Sequence, residues 1–429
     1  MTIDQLKDEF KKLFFIKDDF VIDLLIATVI STHYIHHDPI WLMIVGAPSS
    51  GKTELINSLL KIKFVHPISD MTENTLLSGM NNTVNEPSFL LQMGSFGCIV
   101  MKDFTSILSM REEKRKTIIA QFRDVHDGQF DKKTGNGKNP KWKGKANFIG
   151  GVTEAIYLYS DEIASMGQRN IYYVLPEMTD AERIETSRVA RANRSKEGIR
   201  LKRIHLQDMV LEYVEEILGK LPDILPEVPK DISENIFELA NFVSKASSGT
   251  QRDYQGVVEF ATSITLPMRI SEEIHMVAEM FLIMYGGKIP KEQEEGLYKV
   301  ALDIIPKQKR MALNILSSYT AASTKGIAMH IKYPTIPVLK WLEDLNMLGI
   351  VERKHLLKSE GGDGRVDSWF LLPEYKTLML KYDKSIKQEN KELVAKDGDE
   401  ESDAGFVLEE QAQADDAFQR AKEEFGIGI

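Results

Sequence analysis

The chain has 429 residues, 43% of them hydrophobic and 28% charged, which is the composition of a globular protein of two or three domains. Its single cysteine, Cys98, excludes an internal disulfide and suits a reducing cytosol, where we expect the protein to act. The net charge is −10, but residues 397–429 hold eleven acidic and two basic residues, which leaves about −1 for the rest. The overall charge therefore does not exclude nucleic acid as a partner of local basic clusters.

Residues 1–40 are predicted to be helical, with a polar first part and an apolar second part. The apolar run from Leu24 to Ile35 is too short to cross a bilayer, so no membrane partner is expected. Acidic residues stand among the lysines of the first stretch, a composition that does not fit a signal or transit peptide.

Four buried strands are predicted next, each from a short apolar run. Helical patterns separate them, and this alternation predicts an α/β fold with a parallel sheet covered on both faces. We expect this core domain to span residues 1–180. The predicted strands are residues 41–46, 97–104, 145–153 and 170–176.

Beyond the core, residues 181–303 lack convincing strands and are predicted to form a helical lid domain. Residues 304–382 have three helical patterns followed by two strands around the turn SEGGDGR, which is the order of a winged helix. From residue 383 to 429 the chain is polar and acidic, and we expect a disordered tail that is available to a replication partner.

The most specific motif is GAPSSGKT, residues 46–53, called here the P-loop segment. It matches G-x-x-x-x-G-K-T and lies between a predicted strand and a predicted helix, which is the context that binds the phosphates of ATP. Lys52 is predicted to reach the β- and γ-phosphates, and Thr53 to give its hydroxyl to Mg²⁺. The predicted nucleotide-binding residues are Gly46, Ala47, Pro48, Ser49, Ser50, Gly51, Lys52, Thr53 and Glu54.

Polar residues at the ends of the other strands complete the predicted site. Asp103 ends the second strand and is expected to hold Mg²⁺ or to polarise the attacking water; Glu112 and Glu113 are alternatives for the base. Thr153 ends the third strand, where it can contact the γ-phosphate. Arg169 precedes the fourth strand, where an arginine can stabilise the transition state on a neighbouring subunit.

This order of parts resembles the AAA+ ATPases, and most of all the helicase-like ATPases of phages and mobile elements, which are similar to the minichromosome-maintenance helicases. The segment FRDVHDGQFDKKTGNGKNPKWKGKANFIGGVTEAI looks like the part of those proteins that leads into the sensor strand. LPMRISEEIHMVAEMF resembles their lid helix and makes Arg269 the second sensor arginine, with Arg252 as an alternative. The resemblance covers roughly residues 20–375 and implies a ring, expected to be a hexamer.

The chain departs from that family at three points. Lys102 precedes Asp103 where the family usually has a pair of acids, and Thr153 replaces the commoner asparagine. These two differences bear on the rate of hydrolysis. The large N-terminal DNA-binding domain of the helicases has no counterpart, which bears on recognition of an origin.

Residues 130–145 form a basic cluster, with six lysines and one acid. Its glycines and proline predict a hairpin, which by resemblance projects into the pore of a ring and contacts single-stranded DNA. In the alternative, this is a solvated loop with Trp142 packed on the domain. The predicted DNA contacts are Lys132, Lys133, Lys138, Lys141, Trp142 and Lys143, and the sixth lysine is Lys145.

Two further surfaces are candidates for DNA. Residues 187–203 are rich in arginine and can bind DNA, a neighbouring subunit or only solvent. In the winged helix, Thr335 and Lys340 lie on the predicted recognition helix, and Lys354, Lys358 and Arg365 flank the wing. Duplex DNA or a protein contact is the expected partner there.

The sequence therefore predicts an ATPase that moves along DNA as a ring, with ATP and Mg²⁺ between subunits, and acts as a replicative helicase of a phage or mobile element. One alternative is an AAA+ helicase loader or DNA remodeller. The other is a winged-helix regulator whose ATP site controls assembly.

Overall fold

Two compact units make up the chain in the computed structural model. The first unit comprises Met1–Phe237 and Met268–Ile304, and the second comprises Glu238–Pro267 and Ile305–Ile429. The structure describes residues 1–78, 88–133, 139–159, 163, 169–193, 196–261, 264, 266–319, 321–357, 365–384 and 386.

A five-stranded parallel sheet forms the centre of the first unit, in the order β2-β3-β6-β1-β7. Every residue of β1 and β6 is buried, because both strands are central; β1 is wholly apolar, whereas β6 also buries Lys145 and Asn147. The α/β prediction and its four strands are thus confirmed. The strands are β1 (Trp41–Val45), β2 (Val65–Ile68), β3 (Phe96–Met101), β6 (Lys145–Val152) and β7 (Ile171–Val174), and a separate hairpin contains β4 (Gln129–Asp131) and β5 (Lys141–Lys143).

Strand β2 was not predicted. It is short, contains Pro67 and is partly exposed, so it lacks the long apolar run of the other strands. It lies at the edge of the sheet and pairs only with β3 among the described strands, a position where proline is tolerated.

Helices cover both faces of this sheet. The first begins at a capping box, in which Thr2 accepts from the N–H of Gln5 while the Gln5 side chain accepts from the N–H of Thr2. The described helices of the first unit are α1 (Ile3–Leu13), α2 (Phe20–Ile30), α3 (Lys52–Asn57), α4 (Phe89–Met93), α5 (Thr105–Leu108), α6 (Glu112–His126), α7 (Asp180–Ala192), α8 (Lys196–Leu218), α10 (Met268–Met284) and α11 (Lys291–Asp303), and α9 (Lys230–Ala246) begins in it. Short 3-10 helices span Ser31–His33 and Glu154–Tyr159.

A buried ion pair joins the first two helices. Lys7 Nζ lies 2.5 Å from the carboxylate of Asp23, and Tyr285 donates a hydrogen bond of 2.7 Å to the same group. Asp23 is completely buried, and this burial raises its pKa to about 6. The cation of Lys7 therefore offsets a charge that has no access to water.

Replacement of Lys7 by methionine is expected to destabilise the protein by about 3–5 kcal/mol, because it leaves a buried carboxylate without its cation. Since ionisation of Asp23 opposes folding above its native pKa, the loss should be larger at pH 8 than at pH 5. Urea unfolding at both pH values measures this, with the more exposed Lys11→Met as the control. A loss below about 1 kcal/mol at both pH values would contradict it.

Among the described residues, the second unit contains four helices from Ile305 onward and a three-stranded antiparallel sheet in the order β10-β12-β11. The three helices and two long strands predicted between residues 304 and 382 are confirmed. The elements are β8 (Thr250–Arg252), β9 (Val258–Ala261), α12 (Lys307–Ser318), β10 (Ala322–Ser323), α13 (Thr324–His330), α14 (Thr335–Met347), β11 (Val351–Leu357), β12 (Arg365–Leu371) and α15 (Pro373–Tyr382).

Strands β8 and β9 correct the prediction that residues 181–303 are helical throughout. They form an antiparallel hairpin whose turn depends on Asp253 and Gly256. The Asp253 carboxylate accepts hydrogen bonds of 2.8 Å from the N–H groups of Gln255 and Val257, and Gly256 has φ 84°. These local side-chain bonds stabilise a turn that the hydrophobic pattern does not reveal.

Candidate nucleotide and DNA sites

The P-loop segment connects the end of β1 to the start of α3. Ser49 and Gly51 have φ values of 63° and 91°, so the chain reverses through two left-handed residues before the helix begins at Lys52. A Cβ on Gly46 would lie 2.9 Å from Ser50 Oγ, which explains glycine at the start of the turn. The segment can thus direct backbone N–H groups toward an anion at a helix N-terminus.

Lys52 is the cation of this segment. Its Nζ donates to the carbonyl oxygens of Gly46 and Ala47 at 2.8 and 2.7 Å and to Ser50 Oγ at 3.2 Å. Burial lowers the pKa of Lys52, and the nearby Asp103 carboxylate opposes this effect. The ammonium is therefore held at the centre of the loop by oxygen atoms that an anion can replace.

Asp103 and Thr153 lie near each other at the carboxyl ends of β3 and β6. Thr105 joins them: its N–H donates to Asp103 Oδ1 at 3.0 Å, and its hydroxyl accepts from the Thr153 N–H at 3.2 Å. The two threonine hydroxyls are 3.3 Å apart. Sequence reasoning missed Thr105, whose only signal is a hydroxyl two residues after the strand-end acid.

A cavity of about 730 Å³ opens beside the P-loop segment. Thr153 lines it, and one part of its wall is apolar and comes from two segments that the sequence did not connect with nucleotide binding. Arg183 and Thr186 of α7 complete another side. An apolar wall beside a phosphate-type loop suits a nucleobase. The apolar residues are Phe14, Phe15, Ile16, Val21, Leu175, Pro176 and Met178.

The remaining residues of the loop differ in their surroundings. Thr53 is exposed, as are Ala47, Pro48 and Ser49, whereas Glu54 is half-buried and forms an ion pair with Arg203 of α8. The Nε of Arg203 donates to Glu54 at 3.0 Å. Glu54 and Arg203 thus fasten α8 to α3, so this arginine of the second basic cluster has a structural partner.

Arg169 lies at the opposite end of the sheet from the P-loop segment. Val45, which precedes the loop, pairs with Val174, and at about 3.3 Å per residue Arg169 lies on the order of 15 Å from Val174. Its guanidinium binds the carboxylate of Asp127 at 2.9–3.2 Å. Arg169 is therefore displaced from the nucleotide site of its own chain.

Arg269 lies toward the same end of the sheet as Arg169, because a series of neighbouring side chains links it to Asp127, the partner of Arg169. It begins α10 one turn before the buried Glu273, whose carboxylate lies 3.8 Å from His126 Nε2. His126 in turn lies 3.5 Å from Asp127, and its ring packs 5.3 Å from that of Trp41, the first residue of β1. The structure thus brings Lys52, Asp103 and Thr153 together at one end of the sheet and places the two arginines toward the other.

Arg252, the alternative to Arg269, belongs to the second unit. It donates to Glu343 at 2.9 Å and to Asp344 at 2.5 Å, both on α14, and these carboxylates raise its pKa against the effect of burial. The ion pairs fasten the β8–β9 hairpin to α14. This gives Arg252 a structural role within its unit.

The hairpin predicted within residues 130–145 is present as β4 and β5. Lys133, Lys141 and Lys143 are exposed, whereas Trp142 is buried and donates from Nε1 to the Gly94 carbonyl at 2.6 Å. Side chains alternate along β5, so its lysines face solvent and the Trp142 ring faces the interior. This is the alternative in which Trp142 packs on the domain. Base stacking by Trp142 does not fit this arrangement.

Two other lysines of this segment are engaged by the protein. Lys132 donates to the Glu73 carbonyl and, at 2.8 Å, to Asn74 Oδ1. Lys145 belongs to β6, where it is buried and donates to the Ser31 and Tyr34 carbonyls at 3.1 and 2.8 Å. Burial lowers the pKa of Lys145 to about 8. Lys138 lies outside the described residues.

In the second unit, Thr335 and Lys340 are exposed on α14. The Lys340 carbonyl accepts a hydrogen bond of 2.8 Å from Arg252, so the β8–β9 hairpin contacts this helix. Lys354 is exposed on β11, whereas Lys358 and the side chain of Arg365 lie outside the described residues, as does the chain from residue 387 onward.

No family model matches the chain, and no curated protein sequence is significantly similar to it. Among the helices of the described residues, none combines the length and the apolar character that a bilayer span requires.

Proposed function

We propose that this protein is an ATPase of the AAA+ class that works on DNA as a ring. The observation that carries the proposal is the separation of the two halves of the site. The P-loop segment, Asp103 and Thr153 lie at one end of the parallel sheet, and Arg169 and Arg269 lie at the other. Head-to-tail contact between two copies would bring one copy's arginines to the other copy's nucleotide.

In this proposal the triphosphate lies on the P-loop segment, and Lys52 exchanges the carbonyls of Gly46 and Ala47 for phosphate oxygens. The base occupies the apolar part of the cavity. The hydroxyl of Thr53 and the carboxylate of Asp103 are hard oxygen donors, and with phosphate oxygens they fit Mg²⁺. When bound, that ion would neutralise charge on the phosphates.

Asp103 and Thr153 are proposed to orient the attacking water. Thr105 links them through its N–H and its hydroxyl, so their positions are set together. Arg169 of the neighbouring subunit stabilises the charge that develops on the transferred phosphoryl group, with Arg269 beside it. Asp103 is the single acid at this position, where AAA+ ATPases commonly have two adjacent acids.

The β4–β5 hairpin is proposed to contact single-stranded DNA. Its outward lysines, Lys141 and Lys143, flank the buried Trp142, which anchors the hairpin to the domain. Exposed lysines on a firmly held strand suit contact with a phosphate backbone rather than base readout. ATP-driven movement of such hairpins in a hexameric ring would unwind DNA during replication of a phage or mobile element in the cytosol.

Residues 304–382 are proposed to form a winged helix that contacts duplex DNA or a protein. The order of its elements and its sheet β10-β12-β11 support this assignment. The acidic tail is proposed to bind a replication partner. The alternative is a helicase loader. One observation favours it: Asp103 has Lys102 rather than a second acid beside it.

Replacement of both Lys141 and Lys143 by alanine is expected to weaken binding of single-stranded DNA and its stimulation of ATP turnover. If each lysine contacts one phosphate, the slope of log K against log salt should fall by about 1.4, at roughly 0.7 per contact. Titration of a labelled oligonucleotide at several salt concentrations measures the slope, and steady-state ATPase assays measure the stimulation.

The exposed Lys288→Ala is a matched control, since it also removes a surface lysine but lies in a turn after α10. Unchanged salt dependence in the double variant would exclude the hairpin as the DNA contact. ATP turnover that is negligible in the wild-type protein and indifferent to DNA would exclude the motor itself and favour a regulator.

A further inference from the structure

Asp127 binds the Arg169 guanidinium through several hydrogen bonds. Nε and Nη2 of Arg169 both donate to Oδ1, at 3.2 and 3.1 Å, and Nη2 also donates to Oδ2 at 2.9 Å. This side-on pairing fixes the plane of the guanidinium. The Arg169 side chain is only 13% exposed, which limits its alternative rotamers further.

The backbone around Asp127 is itself firmly held. Asp127 is the C-cap of α6, and its N–H donates to the Arg123 carbonyl at 3.0 Å. Gly128 follows with φ 77°, where a Cβ would lie 2.8 Å from the Gly144 carbonyl oxygen. The N–H of Gly144 donates to Gly128 at 3.0 Å, so the carboxylate stands on a fixed corner at the base of the β4–β5 hairpin.

A second side chain, the buried His126, lies close to the Asp127 carboxylate. His126 lies 3.5 Å from Asp127 Oδ1 and 3.8 Å from the buried Glu273. Together, Arg169 and His126 hold the pKa of Asp127 below its usual value, although partial burial acts in the opposite direction. Asp127 is thus ionised and oriented before any neighbouring subunit approaches.

We propose that Asp127 is the positioning residue for Arg169, which it holds in the orientation that reaches the phosphates bound by a neighbouring copy. This inference rests on the proposed function, because it requires Arg169 to act across a subunit contact. Asp127 itself does not contact the nucleotide. Its removal should therefore reduce the rate of the chemical step while binding of ATP, which depends on the P-loop segment of the same chain, continues.

Asp127→Asn is expected to lower kcat on the order of 10- to 100-fold, with KM for ATP nearly unchanged, because a misplaced guanidinium loses contact only in the transition state. Asp127→Glu, which keeps the charge, should recover part of the rate. Asp208→Asn is the matched control, since it removes an exposed carboxylate on α8 that pairs with Lys61 instead of with Arg169.

Mixing of variant subunits distinguishes a loss of Arg169 positioning from a general structural defect. Asp127→Asn subunits keep an intact P-loop segment, so addition of Lys52→Ala subunits, which keep the Asp127–Arg169 pair, should restore turnover. A wild-type kcat in Asp127→Asn, with Arg169→Ala inactive, would overturn this inference alone, as would absence of rescue in mixed assemblies. Absence of turnover in the wild-type protein would overturn the proposed function and this inference with it.

Discussion

Arg169→Ala is expected to lower ATP turnover by about 10³-fold or more, because an arginine that stabilises the transferred phosphoryl group contributes on that scale. Affinity for ATP should change little, since Arg169 lies at the end of the sheet opposite the P-loop segment of its own chain. Steady-state turnover and binding of a fluorescent ATP analogue measure the two effects separately.

Two further variants make the test of Arg169 specific. Arg169→Lys keeps the charge but loses the planar fork, so it should recover only a small part of the rate. Arg123→Ala removes a more exposed arginine from α6 and should behave as wild type. A loss of ATP affinity that equals the loss of rate would place Arg169 in the binding site and contradict its proposed action on a neighbour.

Lys52→Ala is expected to reduce both ATP affinity and turnover, the latter by on the order of 10³-fold, because the cation aimed at the phosphates is removed. Its present partners include the carbonyls of Gly46 and Ala47, each of which loses a hydrogen bond from the ammonium, of 2.8 and 2.7 Å. Thermal unfolding without nucleotide checks that the loop remains folded.

The control for this variant is the exposed Lys63→Ala, which lies beyond α3 in the same region of the chain. Stabilisation by ATP should shift the unfolding temperature of the control but not that of Lys52→Ala, because a ligand stabilises only the form that binds it. Equal ATP-induced shifts in both proteins would show that Lys52 is not a phosphate ligand.

The sheet could be predicted where burial on both faces produces a continuous apolar run. Strands β1, β3 and β7 follow this rule, and β6 follows it apart from Lys145 and Asn147; the alternation of the four strands with helices implied a parallel sheet. Strand β2 did not, because it is short, partly exposed and contains His66 and Pro67 in place of an apolar run. The β8–β9 hairpin depends on side-chain bonds of Asp253, which leave no trace in the hydrophobic pattern.

The candidate site shows the same division between local and distant contacts. The P-loop segment is a local motif whose spacing contains its chemistry, so its residues could be named from the sequence. Trp142 could not be placed, because its partner, the Gly94 carbonyl, is 48 residues away. The Asp127–Arg169 pair spans 42 residues and follows only from the folded arrangement of α6 and β7.

The apolar part of the cavity was also beyond prediction. Phe14 and Phe15 follow α1, and Leu175 and Pro176 follow β7, so the wall is assembled from distant segments. Neither segment carries a motif. Apolar residues at helix and strand ends usually indicate packing, and only the fold shows that these line a cavity beside the P-loop segment.

The most direct test of the central claim, a nucleotide site shared between two copies, is the turnover of mixed Lys52→Ala and Arg169→Ala proteins. Each variant alone should be inactive. In an equal mixture, about one contact in four should combine an intact P-loop segment with an intact arginine, so turnover should recover toward about a quarter of the wild-type rate. Absence of recovery, when capture of one tagged variant shows that the two proteins assemble together, would contradict the shared site.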